Sequence, residues 1–414
     1  MVVCALILAA LTYKIDTQYG VSDLSEWVPA VQVDVTGART ILSAIASSII
    51  GVAGVTFSVS MLAVSFASNN YGPRLIGNFM RDRGSQVTLG VFISTFVFSL
   101  LILLSIQGDT IQGVSMFVPR ISILVAVILV IICVIMLIYF IHHVPETINV
   151  ENIAADLGRD FIKGIDALIP VADGTGSAPS ETLGDHSLND DPVHICTNRP
   201  GYIQTVETTT LNRLAKDHRL KIRMIALPGD FVTTTMPVLG VWSDGTLPDA
   251  TRSELVRTFA IGDQHTKHQN VTFVAEQLVE IVARAMSPGI NDPYTAQTCL
   301  NWLICGLEYI AGRSDICAEL DANEHLSIDP LTFTELLGLV CNGTRQHIAK
   351  NRMVALGMID QLGRLGLALP PGPRRQSVVN EVSLMADAVA ESMSCSEAHD
   401  VARDAAGRWH AALA

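Results

Sequence analysis

Between two stretches of helical periodicity the chain reads Ser287-Pro288-Gly289-Ile290-Asn291-Asp292-Pro293, residue types that support two kinds of chemistry. As backbone chemistry, Pro288 and Gly289 stop one helix, Asp292 caps the next and Pro293 suits its first turn. As ligand chemistry, the free amides of that helix start, joined by Ser287, Asn291, Thr295 and nearby Arg284, would bind an anion or a polar headgroup. Caps are far commoner than anion sites, so the turn suffices to explain the composition.

Other candidates are thinner. His142 and His143 follow directly on an apolar run, where interfacial anchoring is the plain role and pH sensing the sharper one. His265 and His268, with Asp263, supply one edge of a metal site and no full ligand set, so no metal is assigned. The cysteines (Cys4, Cys133, Cys196, Cys299, Cys305, Cys317, Cys341, Cys395) show no CxxC pair and no zinc spacing, which reads as buried reduced thiols. The PGDFV and PVLGVW stretches resemble tight hairpins of small barrel-like sandwich domains but have no lysine placed for biotinyl or lipoyl attachment. They read as scaffold. No GxSxG, Walker loop, GxGxxG after a strand or HExxH occurs, so no catalytic residue and no cofactor is assigned.

These groups need elements to hold them, and composition divides those elements between two solvents. Of 414 residues 49% are hydrophobic and 16% charged, with a mean hydropathy of +0.39, too apolar for an ordinary soluble enzyme. The excess lies before residue 142. A net charge of -13 without a cationic cluster argues against nucleic acid.

Spanning hydrocarbon takes about 20 apolar residues in a helix. Residues 40–67, 87–106 and 117–141 qualify, and only Arg120 is charged within them. A fourth run, Met1 to Thr12, is too short to cross alone and lacks the basic start of a signal peptide, so it reads as a shortened first span near 1–13. Residues 68–86 carry Arg74, Arg81 and Arg83 against Asp82, whereas 13–39 carry Lys14 and Arg39 against Asp16, Asp23, Glu26 and Asp34. The positive-inside rule puts the arginine loop, and with it residues 145–414, in the cytoplasm.

Along 40–67, Ser43, Ser47, Gly51, Gly54, Ser58 and Ser65 recur every three to four positions and share one face. Small residues let helices approach closely, which makes this a packing seam within or between protomers. The alternative is a polar path at the centre of an oligomer. No Asp, Glu, Lys or His lies mid-span, which weighs against a proton relay.

The remainder divides into an amphipathic connecting helix over 145–170, a Gly, Ser, Asp and Pro-rich linker or loop over 171–199, and a domain over 200–414. Strands are expected within 201–207, 221–232 and 237–242, with a helix at 208–218 between the first two. Helices are expected around Val274–Ala285, Ala296–Ile310, 329–350, 352–365 and 372–412. The expected fold is an all-α membrane region of about four transmembrane helices (residues 1–144), followed by a soluble α+β, mainly helical domain.

The run from Ala38 to Arg83 (ARTILSAIASSIIGVAG through FMRDR), YFIHH at 139–143, GYIQ at 201–204, PGDFV at 228–232 and ARAMSPGINDPYTA at 283–296 occur together. On these the chain resembles a family of bacterial predicted integral membrane proteins known as a domain of unknown function. The resemblance implies a four-span membrane region and a cytoplasmic domain, and it brings no activity. This chain departs from the family in its short first span and at His265 and Asn270, where the family tends toward Arg and Asp.

The functional expectation is an oligomeric, channel- or transporter-like protein of the bacterial inner membrane, with the cytoplasmic domain assembling or gating it. Its partners would be the lipid bilayer, further copies of itself and an ion or solute the residues do not identify. The alternative is a membrane-anchored sensor or scaffold without transport activity; an enzyme ranks third.

Overall fold

The computed structural model describes residues 1–18, 34–72, 82–106, 117–168, 191–243, 245–266, 269–313, 325–328, 331–393 and 396–413. The chain forms two compact units, Met1–Asn152 and Ile153–Ala414.

The first unit packs α1 (Val2–Gln18), α2 (Val35–Tyr71), α3 (Arg83–Ser105) and α4 (Arg120–Ile148) together. Three of these, α2, α3 and α4, are long and apolar enough to cross a membrane. Helix α1 is longer than its apolar run, because it continues through Lys14 and Asp16; its 17 residues rise about 25 Å. Helix α4 runs through Pro145 to Ile148, so the first unit extends beyond the expected boundary at 144.

Size sorts the side chains of this unit. Ala5, Ala9, Ala38, Leu42, Phe98, Ile102 and Ala126 form one core, and Ile49, Ala53, Phe92 and Cys133 another. Buried hydroxyls stand among them at Thr56, Thr88, Thr95 and Ser99, and the Cys133 thiol donates to Thr95 Oγ1 at 3.2 Å. Large apolar residues such as Phe57, Leu62, Leu104, Ile131 and Ile135 point outward. Small residues inside and large ones outside is the arrangement expected where the solvent is lipid.

Helix α5 (Val150–Leu168), most of which belongs to the second unit, buries Ala154, Leu157, Phe161 and Ile165. This is the expected amphipathic helix, shorter than 145–170. Of the expected linker, residues 171–190 lie outside the described residues. Val193–Cys196, placed in that linker by sequence, is instead strand β1. Its four residues offer one fully buried side chain, Ile195, too little to show a period.

Strands β2 (Gly201–Val206), β3 (Lys221–Met224), β4 (Phe231–Val232) and β5 (Pro237–Trp242) fall within the strand-like runs of the sequence, and β6 (Phe259–Gly262) and β7 (Leu326–Ile328) are additional. One sheet has the order β1-β5-β3-β7, antiparallel except for β3 with β7; the other is antiparallel with the order β4-β2-β6. Around them lie α6 (Thr208–Asp217), α7 (Asp249–Arg257), α8 (Val271–Ala285), α9 (Pro293–Ala311), α10 (Phe333–Ile348), α11 (Arg352–Ala368), α12 (Pro373–Ser392) and α13 (Ser396–Leu413). The single helix expected over 372–412 is therefore two. They pack on each other and on α11, where Gly363 admits the Trp409 ring.

Candidate functional site

The turn between α8 and α9 is closed by its own backbone. The amides of Ser287 and Asn291 donate to Arg284 O and Ser287 O, and the Asp292 amide donates to Ala285 O at 2.7 Å. Asn291 takes φ 49°, a left-handed conformation that Asn tolerates better than most residues. The Asp292 carboxylate accepts from the Thr295 amide at 3.1 Å and from Thr295 Oγ1 at 2.5 Å. Arg284 turns back to Glu280 on its own helix at 3.4 Å.

An amide that an anion would need is thus already taken by Asp292. Behind the cap lies Cys299, whose thiol is pushed up to about 12 by burial first and by the Asp292 charge second. It stays protonated and is no nucleophile. Asp292→Ala is expected to cost roughly 0.5–2 kcal/mol of stability in the second unit, and Asp292→Asn close to nothing. Thermal unfolding of the detergent-solubilised protein decides this; equal losses in both variants would give the carboxylate more than a capping role.

GYIQ, PGDFV and the residues before α8 come together on the second sheet. Tyr202 meets Phe231 at a ring distance of 5.0 Å and His265 at 3.8 Å, and His265 lies parallel to Phe273 at 5.2 Å. The Asp230 carboxylate closes the PGD turn by accepting from the Leu227 amide at 2.8 Å, and Gly229 (φ 104°) lets the turn approach Asn270. Gln269 bonds both backbone groups of Val206 with its side-chain amide, as a neighbouring strand would. Asn270 caps α8 by accepting from the Phe273 amide at 2.9 Å, a task Asp performs equally well. His265 is therefore held in a stack of rings, Asp263 is exposed, and His268 lies outside the described residues.

In the first unit the two adjacent histidines part company. His142 is exposed, with Nδ1 2.8 Å from Ile138 O. His143 Nε2 lies 3.0 and 3.1 Å from the two oxygens of Asp82, and its ring stacks on Tyr139 at 5.0 Å. Asp82 also caps α3, accepting from the amides of Gly84 and Ser85. Burial raises its carboxyl, but the Ser85 and His143 contacts outweigh burial and hold it below its ordinary value. A Cβ on Gly84 would lie 2.5 Å from His143 Nε2 and 2.7 Å from Tyr139 Oη, so only glycine lets α3 approach α4 this closely.

Two further caps join elements distant in sequence. Asp16 of α1, buried to 7% exposure, accepts from the amides of Ile121 and Ser122 at 2.9 and 3.0 Å and from Ser122 Oγ at 2.7 Å. It caps α4, whose own N-cap, Pro119, provides no side-chain bond. Arg39 Nη2 donates to Ile106 O at the end of α3. Both match the helix dipole, anion at an N-terminus and cation at a C-terminus. Sequence reasoning counted both as loop charges. Asp82 before Gly-Ser and an apolar run carried a local capping signal, whereas Asp16 carried none.

On α2, Ser43, Ser47, Gly51, Gly54, Ser58 and Ser65 are all exposed. The opposite face, Ala38, Leu42, Ala46, Ile49, Ala53 and Thr56, packs inside the unit. Ser47 and Ser58 donate to carbonyls of their own helix, and a Cβ on Gly51 or Gly54 would meet open space. The small-residue face is not a seam within the protomer.

Comparison with known proteins adds a family. A family model described as "Predicted membrane protein (DUF2254)" matches residues 1–364. Relatives include uncharacterized proteins of Mycobacterium bovis (Mb1321c) and Mycobacterium tuberculosis (Rv1290c). Each is 28% identical over 355 residues, which cover 84% of this chain and 67% of the relative. No solved structure matches.

Proposed function

Because the chain belongs to the DUF2254 family of predicted membrane proteins, we propose that it is an inner-membrane protein that assembles through α2 and forms a channel- or transporter-like path there. The observation that carries this reading is the exposed face Ser43, Ser47, Gly51, Gly54 and Ser58. It is small and hydroxylated and its own protomer leaves it uncovered, whereas Ile50, Val55, Phe57, Leu62 and Phe66, also outward on α2, are large and apolar. Helices meet closely at such faces in lipid. Four crossings are part of the proposal, supported by the Asp16 cap that ties α1 into the bundle. The arginines between α2 and α3 favour a cytoplasmic second unit, which would assemble or gate the membrane region.

Gly51→Leu and Gly54→Leu test this against Val134→Leu, which adds similar bulk on the exposed side of α4. As a seam, the glycine variants should shift the mass on native gels; as a path, they should assemble normally and lose ion or solute flux in liposomes. Parent-like behaviour of both in both assays would reject the reading. It would leave the second one, a membrane-anchored sensor, which the Asp82–His143 contact joining the start of α3 to α4 favours.

A further inference from the structure

We propose that the end of the second unit carrying Ile290, Tyr294 and Met353 rests on the bilayer surface, with these side chains among the lipid headgroups. Helix α5 identifies that end as the one where the chain enters the unit. Along it Gly158 lies against the Trp302 ring, Phe161 against Gly306, and Asp166 pairs with Arg313. Positions rise together on both helices, so α5 and α9 run in parallel, and Ile153, the first residue of the unit, is level with the first turns of α9. Helix α11 runs the same way, since Gly357 faces the Gln297 side chain and Gln361 donates to Asn301. Its first turn, with Met353, therefore shares this end with the turn before α9.

That end is apolar for a surface that would face water. Ile290, Tyr294 and Met353 are 40, 75 and 43% exposed, and Asp292 is the only charged residue between Arg284 and Glu308. The Asp292 carboxylate is occupied by the Thr295 amide and hydroxyl. Lys350 and Arg352, both exposed, border Met353 and complement the phosphates of an anionic leaflet. Tyrosine suits the membrane interface because its ring is apolar and its hydroxyl polar.

Reach and size favour the bilayer over a second copy of the chain. Helix α4, able to cross a membrane, ends at Ile148, and Asn149 to Asn152, the link from there to Ile153, span at most about 14 Å. A surface tethered that closely needs little affinity, because the link supplies a high effective concentration. Three large apolar side chains suit such a contact, whereas a stable protein interface takes roughly 20–30 residues a side. The proposal stands whether or not α2 assembles copies of the chain.

The full chain with benzoylphenylalanine in place of Tyr294 is reconstituted in nanodiscs of phosphatidylglycerol and phosphatidylethanolamine and irradiated. Intact mass should show phospholipid adducts, several-fold more than from the same probe at Leu367, which is 49% exposed near the other end of α11. With the probe at Ile290, the double variant Tyr294→Asp and Met353→Asp should lose most of its adduct while its circular dichroism melting curve stays that of the parent. Equal adduct from Tyr294 and Leu367, or crosslinks from Tyr294 to a second copy of the chain instead of lipid, overturns the proposal. So does full adduct in the double variant. The Tyr294 and Leu367 probes replace exposed side chains, so their comparison stands even if the double variant fails to fold.

Discussion

Asp16→Ala should unlock the membrane bundle, with a loss of roughly 1.5–3 kcal/mol, the range for hydrogen bonds to a charged group. The substitution removes the acceptor of three donors at once, the Ile121 and Ser122 amides and the Ser122 hydroxyl. Pro119, the N-cap residue of α4, provides no side-chain bond of its own. Water reaches this position poorly, since Asp16 is 7% exposed and Ser122 is fully buried, so the freed donors are not resolvated cheaply. Asp16→Asn keeps one accepting oxygen and should fall between parent and alanine. The buried Cys133 thiol reports the outcome through the temperature at which a thiol-reactive dye labels it. Labelling at the parent's temperature in Asp16→Ala would show that the cap contributes nothing.

The second large effect is expected in the second unit at Arg345→Leu. Arg345 of α10 pairs with Glu381 of α12, and their side chains are only 20% and 14% exposed. Cys341 lies on the same helix as Arg345, and burial first and the Glu381 charge second push its thiol well above its ordinary value. Removing the guanidinium leaves a carboxylate in this setting without its counter-charge, a change that costs roughly 3 kcal/mol or more in buried pairs. Removing both partners should cost less than removing Arg345 alone, because no unpaired charge remains. Denaturant unfolding followed by circular dichroism measures both. If Arg345→Leu were as stable as the parent, or the double variant weaker than the single, the pair would not hold α10 to α12.

Element types along the chain were legible wherever a period was long enough. The membrane runs, the strand-like runs at 201–206 and 237–242 and the helix at 208–217 follow from side-chain pattern alone. Strands β1, β6 and β7, of three or four residues, escaped, whereas the short β3 and β4 were marked by the Pro228-Gly229-Asp230 turn beside them. The break between α12 and α13 escaped because both halves are good helix formers and the division contains neither proline nor glycine. At the candidate sites, the cap at Asp292 was readable from Pro288, Gly289 and Pro293. The partner of His143 was not, since Asp82 precedes it by 61 positions.

Sequence by itself settled the division into a membrane part and a mixed helical and sheet part. Transfer from water to hydrocarbon depends on composition over some 20 consecutive residues, a local quantity. Only the tertiary structure decided which face of α2 turns inward. Serine and glycine on one side and alanine on the other are all small, and lipid offers no hydrophobic drive to separate them. The choice fell to shape: Ala38, Leu42, Ala46, Ile49 and Ala53 fit among Phe92, Phe98 and Ile102 of α3. Tertiary structure also turned Asp16 from a loop charge into the cap of a helix 105 residues away, because an unsatisfied helix end recruits whichever acceptor the fold brings within reach.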